Sequence, residues 1–291
     1  MGFLVIGIVI FSLFFTAWIF PWVQTVLLYV IPSVVEKDPG GVLARLSMLV
    51  ILLLILKIYP RLKLPGMKFG KPSKKRLYVF LYGMGIGSVT VVSYYIIRIL
   101  LGQGTMEWQW LFGGNFLRTL VWYLLGAVAI GLLEESFFRG VVYNAFRYDR
   151  RTKQFAAVLA SAFFGSMHWV DFDWLLRWGE GRESLFLTLA RMQYLNAYHL
   201  GLFALISALG LLLIYIYNQA DSLYASVGFH AGLVFVSRIC HKIAVAAPGH
   251  SMKILAVSPE NAPYLLLAMA IAAILIHRYK LTFAGRISHK F

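Results

Sequence analysis

Apolar residues in this chain gather in long runs, and most charged residues fall in the short segments between them. A bilayer core needs roughly 20 mostly apolar residues in one helix, because every backbone N–H and C=O must find its partner inside the span. Eight stretches qualify: Phe3–Ile31, Val42–Tyr59, Leu77–Leu101, Leu117–Tyr143, Phe155–Val170, Leu200–Tyr217, Leu223–Ile239 and Ala262–His277. The pattern predicts an all-α fold, a polytopic membrane helical bundle of about eight transmembrane helices, as one integral membrane domain over residues 1–291. Pro21 should kink or end the first helix, since it removes a backbone donor and clashes with the preceding turn. Met1–Phe20 has no basic n-region and no small-x-small cleavage site, and its apolar run continues through Val30, so a retained helix is expected there. No soluble domain and no sequence repeat is visible.

Composition changes the picture in one respect. The chain is 60% hydrophobic and 13% charged, where an ordinary soluble domain carries about a quarter charged residues. Its formal net charge of +15 would suggest nucleic acid if the bases formed a stripe on a soluble domain. Here they lie between apolar runs, the arrangement that orients membrane helices, so the expected surroundings are a lipid bilayer and not a nucleic acid. Cys240 is the single cysteine, which excludes an intramolecular disulfide and a cysteine-rich metal site.

Loop charges then set an expected orientation. Lys57, Arg61, Lys63, Lys68, Lys71, Lys74, Lys75 and Arg76 follow one another without an acidic residue, and such a loop stays cytoplasmic. Arg147, Arg150, Arg151 and Lys153 oppose only Asp149 in the next even-numbered loop, and the tail has Arg278, Lys280, Arg286 and Lys290. The other side carries Glu36, Asp38, Glu107, Asp171, Asp173, Glu180 and Glu183 among fewer bases. A multi-pass protein of a cell membrane, of prokaryotic type, with both termini cytoplasmic is the expectation. Trp108, Trp110, Trp174 and Trp178 fall in the outer segments, where indole rings suit the headgroup level.

Ionisable residues inside apolar spans cost at least a few kcal/mol and need a partner or a role. The fourth span holds Glu134, Glu135 and Arg139, the fifth Phe164 and His168, the seventh His230. Glu135 and Arg139 are four apart and meet on one helix face, with the carboxylate on the N-terminal side. A mainly structural ion pair follows. Glu134 lies about 100° round the helix and is less well placed for Arg139. It is either free for another task or a second carboxylate in the same ion cluster.

Helix rise compares their depths. With Arg147 and Lys153 at the cytoplasmic edge, Glu134 and His168 lie ~20 and ~22 Å inward, and His230 lies ~14 Å in from Asp221. One acid and two imidazoles are thereby expected to converge. Phe164, four before His168, should pack its ring on the imidazole.

Glu134-Glu135-x-x-x-Arg139, Phe164-x-x-x-His168 and the later His230, in that order and each on an apolar span, resemble the motifs of the CPBP (or ABI) intramembrane proteases, which include the Ras-converting CAAX endopeptidases. The resemblance covers residues 117–240, a CPBP/ABI-like catalytic core. It implies an intramembrane endopeptidase that cuts a membrane-associated protein or peptide, a prenylated CAAX C-terminus being the best-known family substrate. It also implies roles: Glu134 with His168 activates water, Glu135 and Arg139 support them, and His230 helps hold the oxyanion. A carboxylate can take the proton of the attacking water, and a positioned donor stabilises the negative charge that develops.

One position departs from the family pattern. Asn or Asp usually stands four residues after the third-motif histidine, and this chain has Val234. Ser226, four before His230, is the candidate replacement donor. No cofactor is expected. Zinc is the alternative, since two His and one Glu with an open fourth position is a catalytic zinc composition and the family often carries a metalloprotease label. Two other functions stay open: a catalytically weak or silent scaffold or bacteriocin-immunity protein, and a proton-coupled transporter.

Overall fold

A computed structural model of the chain describes residues 2–30, 36, 39–62, 68, 71–148, 152–168, 172–181, 197–250, 252 and 262–287. Of the loop charges used for orientation, Asp38, Lys63, Asp149, Arg150, Arg151, Asp171, Glu183 and Lys290 lie outside the described residues. Within them the helices are α1 (Gly2–Val30), α2 (Pro39–Leu62), α3 (Lys74–Leu100), α4 (Phe116–Tyr148), α5 (Lys153–Met167), α6 (Phe172–Gly179), α7 (Ala197–Ala220), α8 (Leu223–Ile243) and α9 (Ala262–Ile287).

The protein is an all-α bundle, and each of the eight expected apolar stretches overlaps a helix among the described residues. Among the described residues, α1, α3, α4, α7 and α8 are long and apolar enough to cross a membrane, and α9 adds a shorter apolar stretch, Ala262–Arg278. Helix α5 has 15 residues, a rise of only ~22 Å against a hydrocarbon core of ~30 Å. Among the described residues a pair of three-residue strands, β1 (Gly104–Met106) and β2 (Ala244–Ala246), lies antiparallel with Thr105 opposite Val245. They tie together the C-terminal ends of α3 and α8.

Pro21 does not end α1, which runs through to Val30. Proline leaves the carbonyl four residues earlier without its helical donor, and that carbonyl belongs to Ala17. Gly179 of α6 approaches this point so closely that a β-carbon there would collide with the Ala17 oxygen. Trp178 accordingly packs edge-on against Phe14, ring centroids 4.9 Å apart, and belongs to the α1–α6 contact more than to an interfacial belt. Trp110 likewise packs on Phe116 and Tyr123, whereas Trp108 is exposed. The Trp174 side chain lies outside the described residues.

Helix α8 packs most extensively on α3 and next on α4. Glycines make both contacts close. On α3, Gly83 and Gly87 face the backbone of Ala225 and Phe229; on α8, Gly228 and Gly232 face the backbone of Phe80 and Met84. The two helices run parallel, and each presents a small residue every fourth position to the other, the spacing that lets membrane helices touch backbone to backbone. From the other side, Gly131 of α4 meets Val227 and Ala231. Helix α8 is thereby clamped between two neighbours with no side chain to take up slack, which fixes the position of His230.

Helix α4 changes character midway. Phe116–Glu135 is α-helical, Ser136–Tyr143 is π-helical, and Asn144–Tyr148 returns to α. All eight residues of the widened segment are buried, and π turns of this kind occur often at functional sites.

Replacing Gly228 with Ala should lower folded yield and thermal stability, by about 1–3 kcal/mol as for overpacked cores, because the added carbon meets the Phe80 carbonyl. Gly85→Ala on α3, where a β-carbon meets nothing within 4 Å, is the matched control and should leave both unchanged. Thermal denaturation of the two variants in detergent checks this.

Candidate active site

The α-to-π junction of α4 gathers the charges. Arg139 Nη1 donates to Glu135 Oε1 at 2.9 Å, and Nη2 donates to the Gly210 carbonyl of α7 at 3.3 Å. The guanidinium also stands 4.5 Å from the Phe164 ring centroid. Both members of the pair are sealed from solvent. The ion pair expected from the four-residue spacing is therefore formed, and it spans three helices through its other contacts.

His230 reaches the same carboxylate. Its Nδ1 lies 2.9 Å from Glu135 Oε1, and its Nε2 lies 3.6 Å from Glu134 Oε2, an ion-pair contact beyond direct hydrogen-bond length. Glu134 is the more accessible of the two acids, with 16% of its side chain exposed. Among the described residues it has no hydrogen bond to Arg139. Helical geometry anticipates that separation. It does not anticipate that Glu135 serves Arg139 and His230 through one oxygen.

His168 is placed differently from its expected convergence. It caps the C-terminus of α5, is exposed, and directs Nδ1 at the Phe164 carbonyl, 2.9 Å away. A carbonyl only accepts, so Nδ1 carries the hydrogen and satisfies an oxygen that the ending helix leaves without a donor. The imidazole meets the Phe164 ring edge-on at 4.8 Å, as expected. Among the described residues it makes no hydrogen bond or ion pair with Glu134 or His230. Depth along the helix axes places Glu134 nearly level with His168 and His230 shallower, yet it is His230 that meets Glu134. Depth says nothing of rotation about those axes, and Phe164 takes up contacts to both Arg139 and His168.

Ser226 also departs from expectation. Its hydroxyl donates to the Leu223 carbonyl at 3.1 Å and is fully buried, so in this structure it bonds its own helix. Val234 is half-buried one turn beyond His230 and offers no polar atom. Among the described residues no three His, Cys, Asp or Glu are grouped so as to hold one metal ion. Glu134, His168 and His230 as they stand do not fit a three-ligand centre.

Residues 116–236 match the family described as Rce1-like, type II CAAX prenyl endopeptidase Rce1-like. The Rce1-like segment contains Glu134, Glu135, Arg139, Phe164, His168, Ser226, His230 and Val234. It begins with α4 and ends within α8, so the two helices that supply the charged cluster bound it. No curated protein matches the chain.

Truncating one member of the buried pair strands the other. Glu135→Ala and Arg139→Ala should each lower folded yield, at a cost of about 3–5 kcal/mol, because an uncompensated charge is left in the membrane. Size-exclusion profiles of the two variants measure this, and unchanged monodisperse yield in both would contradict a structural role.

Proposed function

We propose that the protein is an intramembrane endopeptidase in which Glu134 takes the proton from a water that attacks a peptide carbonyl. The observation that carries this reading is the division of labour between adjacent carboxylates. Glu135 is engaged by Arg139 and His230, while Glu134 keeps some exposure and faces His230 Nε2 at 3.6 Å. Water oxygen bonds to the carbonyl carbon, the C–N bond then breaks, and the leaving amine takes the proton from Glu134. His230 is the donor for the oxyanion.

His168 belongs to the same reading as the residue at the water's entrance. With Nδ1–H spent on Phe164, the ring nitrogen left to face a water is Nε2. Helix α5 stops short of a full crossing, and free helix ends at membrane depth are tolerated where they meet protein or a water-lined cavity. The hydrolysis is routed through no metal. Substrates are membrane-associated proteins or peptides, a prenylated CAAX C-terminus among them by family likeness. Both termini lie on the cytoplasmic side, supported by the basic segments; tags at either end labelled only from outside would refute that.

Val234 favours one alternative, a weak or silent family member, since loss of one oxyanion donor costs about 10²–10³ in rate. A single assay separates the two. In proteoliposomes with a panel of membrane peptides, prenylated CAAX peptides included, Glu134→Gln should lower cleavage by about 10²-fold or more with folded yield unchanged. Val234→Asn should match or exceed the wild-type rate. Full activity in Glu134→Gln would refute the proposed base, and no cleavage by wild type across the panel together with gain of cleavage in Val234→Asn would favour the silent reading.

A further inference from the structure

Two carboxylates, one guanidinium and one imidazole are enclosed together, and their charges do not balance unless a proton is added. Glu134 and Glu135 contribute two negative charges and Arg139 one positive, so a neutral His230 would leave one net negative charge inside the membrane. Such a charge is costly, and a buried group avoids it by binding a proton. His230 and Glu134 are the two groups with a place for it.

Geometry decides where it goes. Glu135 Oε1 already accepts from Arg139 Nη1, because a guanidinium only donates. A proton on that oxygen would oppose the guanidinium, so the 2.9 Å contact to His230 is made by Nδ1–H donating to Glu135. The other ring nitrogen, Nε2, is then the one that faces Glu134. Clamping of α8 between α3 and α4 by Gly228, Gly232 and Gly131 holds the ring there. The charged groups facing His230 are Glu134, Glu135 and Arg139, all from α4.

We propose that Glu135 is a positioning residue for the reaction: it fixes the His230 imidazole with Nδ1–H on its own Oε1, so that Nε2 is the ring nitrogen turned toward Glu134 and the reacting peptide. This deepens the endopeptidase reading and rests on it for its kinetic consequence only. The step needs Glu134 as a carboxylate and a hydrogen on Nε2. Glu134 accepts a proton from water as the water oxygen bonds to the peptide carbon, and Nε2–H meets the oxyanion. When the C–N bond breaks, the amine takes the proton from Glu134 and the cluster returns to its starting charge. Glu135 touches neither water nor peptide and acts through His230.

The test uses the full chain in nanodiscs with ¹⁵N-labelled histidine, the His230 signals being assigned by comparison with His230→Gln. Wild type should show a protonated, hydrogen-bonded Nδ1. A second arm replaces the pair by apolar residues of similar size, Glu135→Met with Arg139→Met, an exchange that often leaves buried ion pairs' stability intact. The double variant should fold, lose the fixed Nδ1 proton, and show kcat lowered about 10²-fold with KM within about two-fold of wild type. A bare Nδ1 in wild type would overturn the proposal, as would a folded double variant that keeps kcat within about two-fold, which is what a purely structural pair predicts. Should the double variant fail to fold, the wild-type Nδ1 signal still decides. If wild type cleaves no peptide, the endopeptidase reading falls while the nitrogen signals judge the positioning of His230 separately.

Discussion

A carboxylate and a guanidinium sealed away from water must satisfy each other or unfold the region around them, and the Glu135–Arg139 pair imposes that constraint on four helices at once. Arg139 needs more acceptors than one oxygen provides, so it reaches the Gly210 carbonyl and lies over Phe164. Glu135 in turn draws His230 to itself. The pair is therefore a junction at which α4, α5, α7 and α8 are held in register. Glu134, adjacent in sequence but turned away from Arg139, is released from that duty.

Backbone contact supplies the second half of the design. Charge attraction alone would tolerate some play in the position of His230. The glycine faces of α3 and α8 remove it, since main chain rests on main chain across the interface. The widened π turn of α4 lies in the same layer and begins one residue after Glu135. Why the helix widens at Ser136 has no account in the local sequence.

Much of this was legible from residues alone, for identifiable reasons. Apolar run length locates the helices because the bilayer demands internal hydrogen bonding, and four-residue spacing pairs Glu135 with Arg139 because both lie on one rigid helix. Depth alone does not pair Glu134 with His230, since helix rise sets Glu134 level with His168 and His230 shallower. Properties set by neighbours were not legible. The ring direction of His168 depends on where α5 ends, and the hydroxyl of Ser226 had its own Leu223 carbonyl within reach. The intervals Gly83–Gly87 and Gly228–Gly232 do carry the signal of close helix contact, and they are what points to α8 as the central element.

The reciprocal glycines also have a genetic consequence. A bulky residue introduced into an ordinary core can be relieved by trimming the side chain it strikes. At Gly87 or Gly228 the obstacle is a carbonyl, of Phe229 or Phe80, and every amino acid at those two positions brings the same carbonyl. A selection for suppressors of a defect at either glycine should thus return true revertants, or changes that shift a whole helix, and not compensating substitutions in the facing side chains.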